Sequence, residues 1–145
     1  MAASPNYFAN DTITPSRIVV GDVTKDFHVK QAASSTSIPF VGISQDGTRD
    51  APGVTGSGTY AAKPGDPIRV HGVGEEALLE VKGSTTIDAG NLITAHTDGT
   101  GRPVVSSDTL TYTVGWANER GTGGQLIRVT VSPSQIGLVA PQTVV

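Results

Sequence analysis

Three histidines, His28, His71 and His96, are the only imidazoles of this 145-residue chain, and no cysteine accompanies them. A zinc site needs Cys or His donors at short paired spacings that bring four ligands around one ion. These three are widely separated and follow no such spacing. His28 and His71 each alternate with valines, which places them on the polar faces of strands, and His96 falls at a strand end. Asp98-Gly99-Thr100-Gly101 and Asp46-Gly47-Thr48-Arg49-Asp50 carry the acidic and glycine residues of calcium loops. Both lack the alternating carboxylates and closing glutamate that a hard cation requires, and tight turns use the same residues for backbone reasons. Gly121-Thr122-Gly123-Gly124 and Gly56-Ser57-Gly58 suggest phosphate cradles. A cradle needs a strand before it and a helix after it, whereas Gly124 leads directly into the strand pattern Leu126–Val131. Ser57 lacks the esterase elbow because residue 55 is threonine. Glu75 and Glu76 are adjacent in an extended segment and point to opposite faces, so they make a poor acid–base pair. Asn10-Asp11-Thr12 fits a glycosylation sequon only incidentally, since no secretion signal accompanies it. Trp116 and the three tyrosines are too sparse for a stacking platform on sugar or nucleic acid, and Trp116 is assigned to the core. The expectation is no catalytic set, no metal and no cofactor.

The elements that would position these residues are short strands. Ile68–Val73, Ala77–Lys82, Leu92–Ala95, Arg102–Val105, Tyr112–Trp116 and Leu126–Val131 are separated by glycine, aspartate and proline turns. Residues alternate along a strand, so Tyr112, Val114 and Trp116 share one face, and Ile127, Val129 and Val131 share another. Glu75-Glu76 after Gly74 is expected to join Ile68–Val73 to Ala77–Lys82 as a hairpin. Many closely spaced strands without a helical period predict an all-β fold, a small antiparallel barrel or sandwich. The predicted core includes Val70, Leu79, Val114, Trp116, Ile127, Val129 and Val131.

Three zones divide the chain. Residues 1–16 are small, polar and punctuated by Pro5 and Pro15, and read as an extended arm reaching about 50 Å when stretched. Residues 17–132 form the β-domain, beginning at Arg17-Ile18-Val19-Val20, with a second strand at Phe27–Lys30. Within it, Asp50–Gly58 reads as a loop. Pro133 is expected to end the last strand, which leaves residues 133–145 as an apolar tail that packs back on its own barrel or docks on a neighbour.

Composition excludes several classes. A globule of this length buries about 70% of its unfolded surface, so it can build a core without staples. The absence of cysteine rules out disulfides and fits a reducing compartment. A net charge of −3 argues against a broad phosphate-binding surface. The first residues lack the pattern of a signal peptide, and no run of about eighteen apolar residues would span a membrane.

Three phrases occur in order: Tyr60-Ala61-Ala62-Lys63-Pro64-Gly65-Asp66-Pro67-Ile68-Arg69-Val70, then Ile87-Asp88-Ala89-Gly90-Asn91-Leu92-Ile93-Thr94, then Thr113-Val114-Gly115-Trp116-Ala117 followed by Gly121–Val129. Together they resemble the capsid cement, or head-decoration, proteins of tailed double-stranded DNA bacteriophages. The resemblance covers roughly residues 38–133, and Asn118-Glu119-Arg120 is more polar than the family stretch usually is. It implies a structural protein, not an enzyme, made in the host cytoplasm and carried on the outer face of the virion head. Its partner would be the major capsid protein, bound at junctions between subunits, where it braces the shell against packaged DNA. Self-association as a homotrimer, or a dimer, is implied as well, with no direct nucleic-acid or membrane contact. Tyr7, Phe8 and Ile13 on the arm, and Ile136 and Leu138 on the tail, are the expected capsid contacts. Two other readings stand beside this one: a receptor-binding or baseplate β-module of a phage particle, and a small hydrolase.

Overall fold

A computed structural model describes residues 7–35, 38–47, 60–105, 108 and 110–136. Among them the regular structure is all strand: β1 (Tyr7–Ala9), β2 (Ile18–Gly21), β3 (His28–Gln31), β4 (Phe40–Ser44), β5 (Pro67–Ile68), β6 (Val70–His71), β7 (Glu76–Glu80), β8 (Thr86–Ile87), β9 (Leu92–Ala95), β10 (Gly101–Pro103), β11 (Thr111–Ala117), β12 (Gly121–Thr122) and β13 (Leu126–Ile136). The all-β fold read from the alternating pattern is the fold observed.

The first sheet has the order β5-β1-β3-β2-β4-β6. Its two outermost strands, β5 and β6, are separated in sequence only by Arg69, so one broken strand closes the sheet into a small barrel. Gly42 permits this closure. A Cβ there would lie 2.0 Å from the His71 carbonyl oxygen on the neighbouring strand. Ala9, Ile13, Val19, Val29, Ala62, Ile68 and Val70 fill the interior and are fully or almost fully buried.

The second sheet, β10-β9-β11-β13-β7, is antiparallel throughout. A parallel bridge between Val81 and Gly101 brings its edges together, and β8 and β12 form a separate small ribbon. Leu79, Ile93, Val114, Ile127, Val129 and Val131 from this sheet pack against Ile18, Val20, Phe40 and Ile43 of the barrel. β2 therefore serves two cores: Ile18 and Val20 face the second sheet and Val19 faces the barrel interior. Arg17, just before β2, ties the sheets together. Its Nη2 lies 2.9 Å from Glu80 Oε2, and its Nη1 donates to the Asp98 carbonyl at 2.9 Å.

Four sequence expectations are corrected. Residues 7–16 are not an arm beside the domain but part of it. β1 pairs parallel with β3 and antiparallel with β5, and Ile13 exchanges backbone hydrogen bonds with Ala61 and Ala62. Arms and buried strands are both short on periodic signal when the partners come from distant sequence, so the local pattern did not distinguish them. Ile13, expected on a capsid, is 0% exposed and fills the barrel.

β6 and β7 do not form a hairpin. The turn from Gly72 to Glu75 carries the chain from the barrel to the second sheet, where β7 pairs with β13. Pro133 does not end the ladder either. Between the pairs Thr113↔Ser134 and Gly115↔Val131, β13 takes three steps while β11 takes two. This bulge accommodates a residue with no N–H to donate, and the strand continues to Ile136, so the boundary between β-domain and tail lies beyond 132.

The same irregularity moves Trp116 out of the predicted core. Tyr112 and Val114 face the main core, but so does Ala117, three positions after Val114. The alternation changes phase at Gly115, whose φ of 154° and close approach to Thr130 O, 1.8 Å from a built Cβ, exclude any side chain. Trp116 then points outward with 41% of its surface exposed. The other six predicted core residues are buried. Leu138, Gly56-Ser57-Gly58 and residues 48–50 lie outside the described residues.

These placements give opposite outcomes for two substitutions. Ile13→Ala should cost about 2–5 kcal/mol, as for other large-to-small changes in a packed interior, whereas Trp116→Ala should cost less than about 1 kcal/mol. Removing residues 1–14 deletes β1 and the Ile13 plug together and should abolish cooperative unfolding. Urea melts followed by circular dichroism distinguish these outcomes from an arm that is dispensable for folding.

Candidate partner-binding surface

Of the expected contact residues, Tyr7 and Phe8 lie on β1 at one end of the barrel, where Tyr7 is half-buried against the interior cluster and Phe8 is exposed. Ile136, partly buried at the end of β13, pairs with Thr111 away from them. Ile13 is in the core. The structure therefore does not bring these residues together. It assembles a different surface around Phe8.

That surface is built by the turn between β2 and β3. Asp22 closes the turn: one carboxylate oxygen accepts the Thr24 N–H at 2.8 Å and the Thr24 hydroxyl. The other oxygen accepts Asn10 Nδ2, and the Asp22 N–H donates to His28 O at 2.8 Å. Such Asx turns hold the backbone without help from packing. Phe27 ends the turn with φ of 58°, an uncommon conformation for a bulky residue. Its carbonyl accepts the Phe8 N–H at 2.9 Å, which locks the turn to β1. Phe27, expected to open this strand, precedes it: β3 begins at His28.

Three apolar side chains project from this braced frame: Val23 (83% exposed), Phe27 (70%) and Phe8 (41%). The Phe8 and His28 rings lie 5.6 Å apart, centroid to centroid, in a tilted arrangement. Asp22, Lys25, Asp26 and Lys30 are charged residues of the same turn and strand, two of each sign. The surface is therefore hydrophobic at its tips and balanced in charge, which suits a protein partner better than a phosphate backbone. Sequence reasoning missed Val23 and Phe27. The signal available was an apolar residue inside the Asp22–Asp26 turn, Val23, and another directly after it, Phe27, where neither is needed for packing.

The remaining candidates for chemistry are scattered. His71 Nδ1 is 3.1 Å from Glu75 Oε2, and Arg69 Nη2 is 3.5 Å from the same oxygen. This pair borders an open groove of about 260 Å³ lined by Asp46, His71, Glu76, Ala77, Leu78 and Arg128. His96 Nδ1 is 3.5 Å from Asp98 Oδ1 in the β9–β10 turn. Among the described residues, no group of three or more His, Asp and Glu side chains is placed to hold a metal ion.

Hydrogen bonding sets the acid chemistry of the turns. The Thr24 hydroxyl and N–H, with Asn10, hold the Asp22 carboxyl down at about 2, against 3.8 ordinarily. Asp108 is lowered in the same direction, chiefly by its hydrogen bonds from Arg102, whose Nη1 and Nη2 reach its two oxygens at 3.0 and 3.1 Å. Both carboxylates are stabilised more in the folded state than in the unfolded chain. Their contribution to stability is present above pH 4 and is lost as pH falls from 3.8 toward the folded value. Thermal melts from pH 6 to pH 2 should show Asp22→Asn less stable than the parent at pH 6, with the two curves converging near pH 2. Parallel curves across that range would contradict this role for Asp22.

No family model matches the chain, and no curated protein matches it. Among solved structures the fold is similar to one described as "The crystal structure of head fiber gp8.5 N base in bacteriophage phi29". The two share 21% sequence identity with a TM-score of 0.59, over 91% of this chain and 95% of that one.

Proposed function

We propose that this chain is a structural protein of a tailed-phage head. The observation that carries the reading is the fold. Over nearly its whole length the chain resembles the base domain of a phage head fibre, and three of its sequence phrases independently resemble head-decoration proteins. In this reading it acts by binding, not turnover. It sits on the outer face of the capsid at junctions between major capsid protein subunits, as a cement protein, and associates with copies of itself, as a homotrimer.

The barrel-end surface supplies the capsid contact. Phe8, Phe27 and Val23 stand on a backbone already fixed by Asp22, so little conformational freedom is lost when they enter pockets on a partner. Tyr7 points to the other face of β1 and packs on the barrel interior, and Ile136 and Leu138 remain candidate contacts of the opposite chain end. A second reading has a specific observation in its favour. One solved neighbour is described as the base of a head fibre, so this chain is alternatively the foot on which a longer projecting appendage stands.

The Phe8→Ser/Phe27→Ser variant should bind shells lacking the protein at least about tenfold more weakly, a loss of ~1.4 kcal/mol or more, with its melting temperature within a few degrees of the parent. Cosedimentation with such shells measures the first and calorimetry the second. Unchanged cosedimentation removes the barrel end from the interface. Electron microscopy of decorated shells separates the two readings, because a cement protein covers the lattice whereas a fibre foot occupies the sites of the appendage.

A further inference from the structure

The outer face of the second sheet carries the chain's only tryptophan. The strand register sets its neighbours in a row: Leu92 pairs with Trp116, Trp116 with Thr130, and Thr130 with Glu76. Leu92 and Trp116 are 43% and 41% exposed. The backbone beneath them is fixed on both sides, with Gly90 N–H donating to Ala117 O at 2.8 Å on one and Asn118 N–H donating to Arg128 O at 2.9 Å on the other. An indole is thus held at the surface on a rigid strand, outside any core it would stabilise.

Beside it stands a preassembled polar set. Asn118 Nδ2 donates to Glu76 Oε2 at 3.0 Å and to Thr130 Oγ1 at 2.9 Å, and the Thr130 hydroxyl lies 3.1 Å from Asn118 Oδ1. A carboxylate accepts about four hydrogen bonds, so Glu76 keeps acceptor capacity toward solvent after bonding Asn118. The cations nearby are already neutralised: Arg128 Nε lies 2.8 Å from Glu119 Oε2, and Arg120 Nε lies 3.1 Å from Asp88 Oδ1.

These features select among ligands. Paired arginines leave no excess positive charge for nucleic-acid phosphates. Arg128 and Thr130 separate Leu126, the third exposed apolar residue of this face, from Trp116 and Leu92, so the three do not make the contiguous apolar centre of a protein interface, which buries about 800 Å² on each partner. An aromatic face carries the negative side of its quadrupole and attracts the polarised C–H groups of a flat ring. An amide, a hydroxyl and a carboxylate at its edge match the donors and acceptors of sugar hydroxyls. We propose that this face binds a neutral saccharide, at a one-ring site on the exposed Trp116 rather than on the multi-residue platform that the sparse aromatics exclude. One pyranose ring stacks on Trp116 against Leu92, and its hydroxyls bond Asn118, Glu76 and Thr130. The inference goes beyond the structural role on the phage head and does not rest on it.

Because Trp116 is the only indole, the emission of the intact chain reports on this site alone. Cellotetraose, chitotetraose and maltotetraose serve as probes in a fluorescence titration. At least one should shift the emission saturably, with a Kd on the order of 0.1–10 mM. By calorimetry Trp116→Ala should abolish binding of that sugar, and Asn118→Ala and Glu76→Gln should weaken it at least about tenfold (~1.4 kcal/mol). All three variants should keep the parent's circular dichroism spectrum. The proposal is overturned if none of the three sugars changes the emission saturably. It is also overturned if the emission shifts with protein concentration alone, meaning a second copy covers the face, or if variants that stay folded bind the sugar as the parent does.

Discussion

β2 carries the structure. Its three consecutive residues Ile18, Val19 and Val20 are all buried, because the strand is sandwiched between two interiors and its alternating side chains fill both. In an antiparallel sheet with one wet face, every second residue of such a strand would meet water. Here neither face does. The junction is fastened at the start of the strand, where Ile18 N–H donates to Gly99 O at 2.9 Å and Glu80 N–H donates to Ser16 O at 3.0 Å. Arg17 adds its ion pair with Glu80 across the same seam. Barrel and second sheet are therefore one cooperative unit, and displacement of β2 would open both cores.

Two glycines set how closely neighbouring strands approach within each sheet. Gly42 lets β4 lie against the His71 carbonyl, and Gly115 lets β11 lie against the Thr130 carbonyl. In each case a Cβ would meet backbone, which cannot rotate away as a side-chain end can. The second approach coincides with the bulge opposite Ser132-Pro133, so one local irregularity satisfies the proline, shifts the register and turns the following indole outward. Bulges re-aim side chains in this way, and here the result is an aromatic surface rather than an aromatic core.

Both exposed apolar surfaces stand on backbone fixed by hydrogen bonds. At the barrel end the Asp22 carboxylate organises the turn that projects Val23 and Phe27. On the second sheet the strand ladder holds Trp116, and the Asn118–Glu76–Thr130 network sits beside it. Preorganised side chains lose less freedom on docking than side chains on loose segments. The two surfaces differ in chemistry: the first is a set of apolar tips in a charge-balanced surround, the second a single aromatic face edged by neutral and acidic hydrogen-bonding groups.

The alternation of Ile127, Val129 and Val131, and the turns at Asp88–Asn91 and Asp98–Gly101, were legible in the sequence because period two and turn chemistry are local properties. The all-β class followed from them, as did the burial of Val70, Leu79 and Val114. What the sequence could not specify was pairing between distant segments. Residues 7–13 have no amphipathic period of their own, since their partners His28, Val29, Ala62 and Ile68 lie far along the chain. The exposure of Trp116 depended on a register shift created by two strands together, and the barrel-end surface on the left-handed conformation of Phe27. Which residues alternate and where the chain turns follow from residue types taken in order along the chain. The tertiary structure decided which faces became interior, because burial is a property of paired strands rather than of any single one.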